Sequence, residues 1–194
     1  MLSSTILATR TIAKLDFGQP GVNVQQGFLK LGLPDSTYNS RPFKGTFPCH
    51  TQTCAIVIDG YDYIRGSYRE VTNKYSNLSN ILRSAMFKKT FGVMTVTVTG
   101  VKPLTSYKIK TYHHDTWDRG GRFTLQYNKN KIVTLKESTS GQNPDPPLIH
   151  TEIITSSHDG KIVLDMKCLV PHGGAFLCDL NGMEILQPGN QFVL

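Results

Sequence analysis

His113, His114, Asp115, Trp117, Asp118 and Arg119 place two imidazoles, two carboxylates, a guanidinium and the chain's single tryptophan within seven positions. Pyranose rings present C–H groups that pack on an aromatic plane. Trp117 could therefore stack on a sugar while Asp115, Asp118 and Arg119 hydrogen-bond its hydroxyls. The plainer reading is that Trp117 folds back and caps a core, as large rings often do. His113 with Asp115 could ligate a metal. Neighbouring strand residues point to opposite faces, so His113 and His114 would share one only where the chain bends. Ordinary satisfied or solvent-facing histidines are the alternative. Glycoside hydrolysis needs two facing carboxylates, and Asp115 and Asp118 are simply two acids in one stretch. Gly-x-Ser-x-Gly, a phosphate loop and His-Glu-x-x-His are all absent from the sequence. The stretch reads as a binding site without catalysis.

A second group is Tyr61, Tyr63, Arg65, Tyr68 and Arg69, alternating aromatic and cationic side chains. One face could line a groove where arginine meets a carboxylate bidentately. The same pattern also fits a strand with one wet face. Asp16 and Asp179 are candidates for a structural calcium, although nothing in the sequence resembles a full calcium loop and hard cations take several oxygens.

These residues must be positioned by strands. Residues 106–112 alternate in polarity and lead into the His113–Gly121 stretch, which reads as a loop because the turn residues arrive only at Gly120-Gly121. Residues 92–99 have period 2, are β-branched and stop at Gly100. Further strands are expected at 12–17, 22–29, 55–58, 61–65, 123–127, 131–135, 149–155, 161–166, 175–180 and 183–186. Asn128-Lys129-Asn130 reads as a hairpin turn, as do Asp159-Gly160 and Asn181-Gly182. Leu78, Ile81, Leu82, Ala85 and Met86 recur at three and four, which predicts one helix capped by Ser76 or Asn77. Residues 34–48 and 138–147 read as loops. The sum is an all-β chain: an antiparallel β-sandwich, a jelly roll, with one short inserted helix. Residues 1–10 are an N-terminal extension lacking the apolar core of a signal peptide, and 11–194 form one domain.

The totals fit. A chain of 194 residues with 39% apolar and 18% charged residues buries roughly 70% of its unfolded surface without staples. Its net charge of +7 comes from Lys and Arg spread along the chain, with no block of the kind a nucleic-acid arm needs. The basic surface is either simply solvated or attracts an acidic partner such as an anionic polysaccharide. No run approaches the ~18 apolar residues of a membrane span. Cys49, Cys54, Cys168 and Cys178 form two close pairs. A small loop could close between Cys49 and Cys54, and Cys168 could face Cys178 across a hairpin. Zinc fits the wider second pair poorly. Two disulfides and the sequon Asn77-Leu78-Ser79 point to an extracellular chain.

The order of several pieces resembles a known family. Leu15-Asp16-Phe17-Gly18 precedes Val24-Gln25-Gln26-Gly27-Phe28. Val98 to Ile109 then leads into Tyr112-His113-His114-Asp115, followed by Asp159-Gly160-Lys161-Ile162-Val163-Leu164 and Leu180-Asn181-Gly182-Met183-Glu184-Ile185. This resembles the galactose-binding-like jelly rolls: malectin-like domains and the non-catalytic carbohydrate-binding modules of secreted glycoside hydrolases. The resemblance implies a lectin-like module with ligands at edge loops or on a concave sheet face, the 113–121 stretch among those loops. A structural or adhesive matrix or receptor module that binds protein is the other reading. The two cysteine pairs and the segment around 76–87 depart from many relatives.

Overall fold

The computed structural model describes residues 9–17, 23–31, 42–49, 52–61, 63–66, 78–82, 84–88, 92–115, 121–139, 147–170 and 178–188. Along the chain run β1 (Arg10–Asp16), β2 (Leu29–Lys30), β3 (Phe43–Cys49), β4 (Gln52–Asp59), β5 (Tyr63–Gly66), α1 (Ser79–Leu82), β6 (Ser84–Lys88) and β7 (Val93–Thr99). The second half holds β8 (Ser106–Asp115), β9 (Arg122–Tyr127), β10 (Lys131–Lys136), β11 (Ser138–Thr139), β12 (Leu148–Thr155), β13 (Lys161–Val170), β14 (Cys178–Leu180) and β15 (Gly182–Gln187).

These strands make a β-sandwich, as the alternation predicts. One sheet runs β11-β8-β15-β1-β2, with β12 also paired to β8; the other runs β10-β9-β13-β7-β4-β3. The second is antiparallel throughout. In the first, the short β2 and β11 are parallel to their neighbours. β7 shows the cause directly: Met94, Val96 and Val98 are buried and the threonines between them are not. Inward residues of both sheets, including Leu15, Ile109, Ile56, Leu125 and Ile185, form one fully buried core.

A small third sheet, β14-β6-β5, lies beside this sandwich, and it corrects several expectations. Helical spacing over 78–86 yields only the four residues of α1. Ala85 and Met86 sit instead on β6, paired to Arg65 and Ile64. A four-residue helix offers one turn for a costly nucleus, and the strand ladder takes the rest. The strand expected at 61–65 is β5, from Tyr63, and it pairs with β6. Within 34–48, residues from Phe43 onward are strand, with Gly45 and Pro48 on the edge strand β3, where a proline is tolerated. Among the described residues of 22–29, only Leu29 is extended in a sheet.

A turn dipeptide records only its near neighbours along the chain. The three-residue turn 128–130 does close a hairpin, with Tyr127 opposite Lys131. Asp159-Gly160 is a turn and joins the strands ending at Thr155 and starting at Lys161, as expected, but those strands, β12 and β13, lie in different sheets. Asn181-Gly182 is no hairpin turn at all, since β14 pairs with β6 and β15 with β1 and β8. A Cβ at Gly182 would stand 2.3 Å from the Ile81 Cδ1 and 2.7 Å from the Leu15 carbonyl oxygen. The glycine is required there by close packing.

Both expected disulfides are present. Cys49–Cys54 ties β3 to β4 across their hairpin. Cys168–Cys178 joins β13 of the sandwich to β14 of the small sheet, so it spans two sheets and not a hairpin.

Candidate functional site

The expected loop at His113 is strand. β8 continues three residues beyond Tyr112, and its inside–outside alternation stops at Thr111, after which every residue to Asp115 is buried. The outer face is covered there. Tyr112 packs with Ile81 and Leu82 of α1, with the Phe28 ring 5.9 Å away edge-on. A strand enclosed on both faces can hold polar groups only where they are hydrogen-bonded, and this one is.

His113 illustrates the arrangement. Its Nδ1 lies 2.7 Å from the Asp179 carbonyl oxygen and its Nε2 2.8 Å from the Thr111 hydroxyl. A carbonyl only accepts, so Nδ1 carries the proton and Nε2 accepts from Thr111. Burial pushes the imidazole down to about 3, so it is neutral at physiological pH. The ring also packs on Phe123, centroids 4.6 Å apart.

His114 is held through its backbone. Its N–H donates to Asn181 Oδ1 at 2.7 Å, and its carbonyl accepts from Asn181 Nδ2 at 3.3 Å. The Asn181 N–H donates to the Tyr112 carbonyl, and the Phe17 N–H to the Asn181 carbonyl, each at 2.9 Å. One amide side chain therefore continues the ladder of β15 on β8 past Gly182, where backbone pairing ends.

Asp115 ends β8 beside a second buried acid, Glu137. Parallel pairing of Ser138 with His114 brings Glu137 to this end of the strand. Glu137 Oε1 accepts the Asp179 N–H at 2.7 Å, and its own N–H donates to the Gly121 carbonyl at 3.0 Å. Its Oε2 is buried with no hydrogen-bond partner among the described residues. Burial first, then the nearby Asp115 charge, holds the Glu137 carboxyl well above the ordinary range.

On the outer side, Tyr112 donates to Glu184, which also faces Lys14 at 3.5 Å and Lys110 at 3.8 Å. Burial and the Glu184 carboxylate raise the phenol. Lys14 further lies 5.5 Å over the Phe28 ring.

The sequence-predicted residues divide accordingly. His113, His114 and Asp115 come together, but inside the protein and not on a loop surface. Trp117, Asp118 and Arg119 fall in 116–120, outside the described residues. Both ends of that segment are fixed, by buried Asp115 and by Gly121 through Glu137. Tyr61 is a core residue, its phenol raised by burial and then by Asp59. Tyr63 and Arg65 stand on β5 opposite Phe87 and Ala85. Tyr68, Arg69 and the sequon asparagine Asn77 lie outside the described residues. Asp16 and Asp179 are both buried. Asp16 Oδ2 accepts the Gln25 N–H at 3.0 Å, while Asp179 sits on β14 opposite Phe87. Among the described residues no three His, Cys, Asp or Glu side chains gather as a metal site. Glu137, Asn181 and Glu184 escaped the sequence reading. The available signal was polar residues flanked by strands with no exposed turn to serve.

No family model matches this sequence, and no curated protein matches it. Solved structures do. The chain is 12% identical to a chain from the complex of plant peptide RALF23 with FER and LLG2, covering 98% of this chain and 53% of that one with a TM-score of 0.61. Plant receptor-like kinase ANX2 gives 12% identity, 96% and 55% coverage and a TM-score of 0.57. The fold is the β-jelly roll of those chains. This chain spans about half the length of each of the two. Bacteroides uniformis beta-glucuronidase 2 is also similar, at 14% identity and a TM-score of 0.51, over 70% of this chain and 14% of the enzyme. At such identities the likeness establishes the jelly-roll fold. Among the described residues no helix is long and apolar enough to cross a membrane.

Proposed function

We propose that this chain is an extracellular, non-catalytic carbohydrate-binding module whose ligand is held by the segment 116–120, with Trp117 as the stacking ring and Asp118 and Arg119 as hydrogen-bonding groups. The supporting observation is the buried polar network at the end of β8, from which the chain continues into that segment. His113, His114 and Asp115 act from inside it as positioning residues. Binding groups on a loop are effective when the loop's ends are rigid; Asp115 is buried at the end of β8, and the Gly121 carbonyl accepts the Glu137 N–H. The jelly-roll fold and the two disulfides agree with the reading. A glycan array with Trp117→Ala run in parallel tests it. Binding to a narrow glycan class, lost in a variant that melts like wild type, is expected. Binding unchanged in that variant rejects the assignment.

A second reading, a matrix or receptor module that binds protein, is favoured by β12. Its outer face exposes Ile149 and Ile153, at 41% and 63%. Silence across the array, with a protein partner lost on Ile153→Lys, would support it.

A further inference from the structure

Nine residue steps along β8 separate Asp115 from Ser106, roughly 30 Å of strand. At the Ser106 end the turn 128–130 and the turn 156–160 enclose an open cleft of about 450 Å³. That lies within the ~300–1,000 Å³ of small-ligand sites. Its lining sets the amides, hydroxyls and amines of Asn128, Lys129, Asn130, Thr155, Ser157 and Lys161 beside the Asp159 carboxylate and apolar surface that includes Val163.

The walls are already tied together. Asn128 exchanges two hydrogen bonds with the Val163 backbone, N–H to carbonyl at 2.9 Å and Oδ1 from N–H at 2.8 Å. Its Nδ2 reaches the Thr155 carbonyl at 2.7 Å. The Ser156 hydroxyl donates to the Lys102 carbonyl at 2.6 Å and accepts the Thr105 N–H at 3.1 Å. The Ser157 hydroxyl accepts the Lys161 N–H at 2.9 Å. Such a cleft needs little ordering when a ligand enters.

Its charge is one-sided. Asp159 is neutralised by Lys161, and hydrogen bonds from Lys161 and Ser157 pull its carboxyl below the ordinary range. Lys129 has no acidic partner among the described residues. Its backbone is also left-handed, φ 62, after Asn128 at φ 47. Asparagine tolerates that region, whereas a turn of this kind relaxes with glycine at the second position. A lysine kept in a strained turn beside a polar cleft points to a use for its cation.

We propose that this cleft is a saccharide site distinct from the Trp117 segment, taking an acidic sugar residue whose carboxylate meets Lys129 while its hydroxyls meet Asn130, Thr155 and Ser157. The site stands whether or not the Trp117 segment binds sugar.

The test is an amide-resolved NMR titration of the intact protein with a glucuronic-acid disaccharide, its neutral glucose counterpart and sodium acetate. Saturable shifts confined to the 128–130 and 155–161 turns, produced by the uronate disaccharide alone, are expected. Lys129→Gln should weaken binding about tenfold. Lys129→Gly should weaken it similarly yet melt no lower than wild type, because glycine relieves the turn. Trp117→Ala should leave these shifts unchanged, which separates this site from the other. An equal response to the neutral sugar, an acetate response as strong as the disaccharide's, no shift at these turns, or full binding in both Lys129 variants would each overturn the proposal.

Discussion

Asn181 bonds both backbone groups of His114, accepting its N–H at 2.7 Å and donating to its carbonyl at 3.3 Å. A side chain here does what a strand residue would, at the point where β15 stops pairing with β8. That junction fixes the approach to the segment carrying Trp117.

Asn181→Leu should therefore leave a buried N–H unsatisfied and cost about 2 kcal/mol of stability. Urea denaturation measures it. A loss below roughly 0.5 kcal/mol, the range of a neutral surface change, would show that the amide is dispensable.

Gly182→Ala tests the close approach. The new methyl meets the Ile81 side chain and the Leu15 carbonyl, so a loss of about 1–3 kcal/mol is expected. Ile81→Val in the same chain should recover only part of it, because the backbone contact remains. Full recovery in calorimetry would assign the whole clash to Ile81.

Glu137 gives the protein a pH dependence of unusual sign for an acid. The native state keeps its proton above the usual carboxylate range, so unfolding releases a proton at pH values between the unfolded and the native titration. Stability from this group is present below about 4.5, the ordinary value, and declines as pH rises through the native value. The stability difference between wild type and Glu137→Gln should be constant below about pH 4 and move in favour of the variant as pH rises. A difference that stays constant as pH rises would contradict a raised Glu137 carboxyl.

His113 acts in the opposite direction. Its imidazole is neutral when folded and pushed down to about 3, while the unfolded form protonates near 6.5. Stability from this group is intact above 6.5 and falls towards pH 3, by at most about 1.4 kcal/mol per unit. The difference between wild type and His113→Gln, followed by calorimetry between pH 7 and 4, isolates it from other titrating groups. A constant difference would mean that His113 does not titrate with unfolding.

The sequence alone determined the strands whose side chains alternate over several residues. The run at Val93–Thr99 and the hairpin turn at Asn128-Lys129-Asn130 follow from local sterics and from burial of one face, both of which act between near neighbours. From these came the sandwich, and cysteine arithmetic supplied the two bridges. Tertiary structure decided which strands meet. Asn181-Gly182 looks like a hairpin turn, but its dipeptide signal says nothing of Ile81, a hundred residues away, whose packing demands the glycine. Ala85 and Met86 fit a helical stripe, yet they gain more from a ladder with β5 and β14 than one helical turn provides. His113, His114 and Asp115 have the composition of a surface loop. They are buried because α1 and Phe28 cover the outer face of β8 and because Asn181, Asp179 and Glu137 satisfy their polar neighbourhood. A polar residue's burial depends on partners distant in sequence, and no pattern along one strand records them.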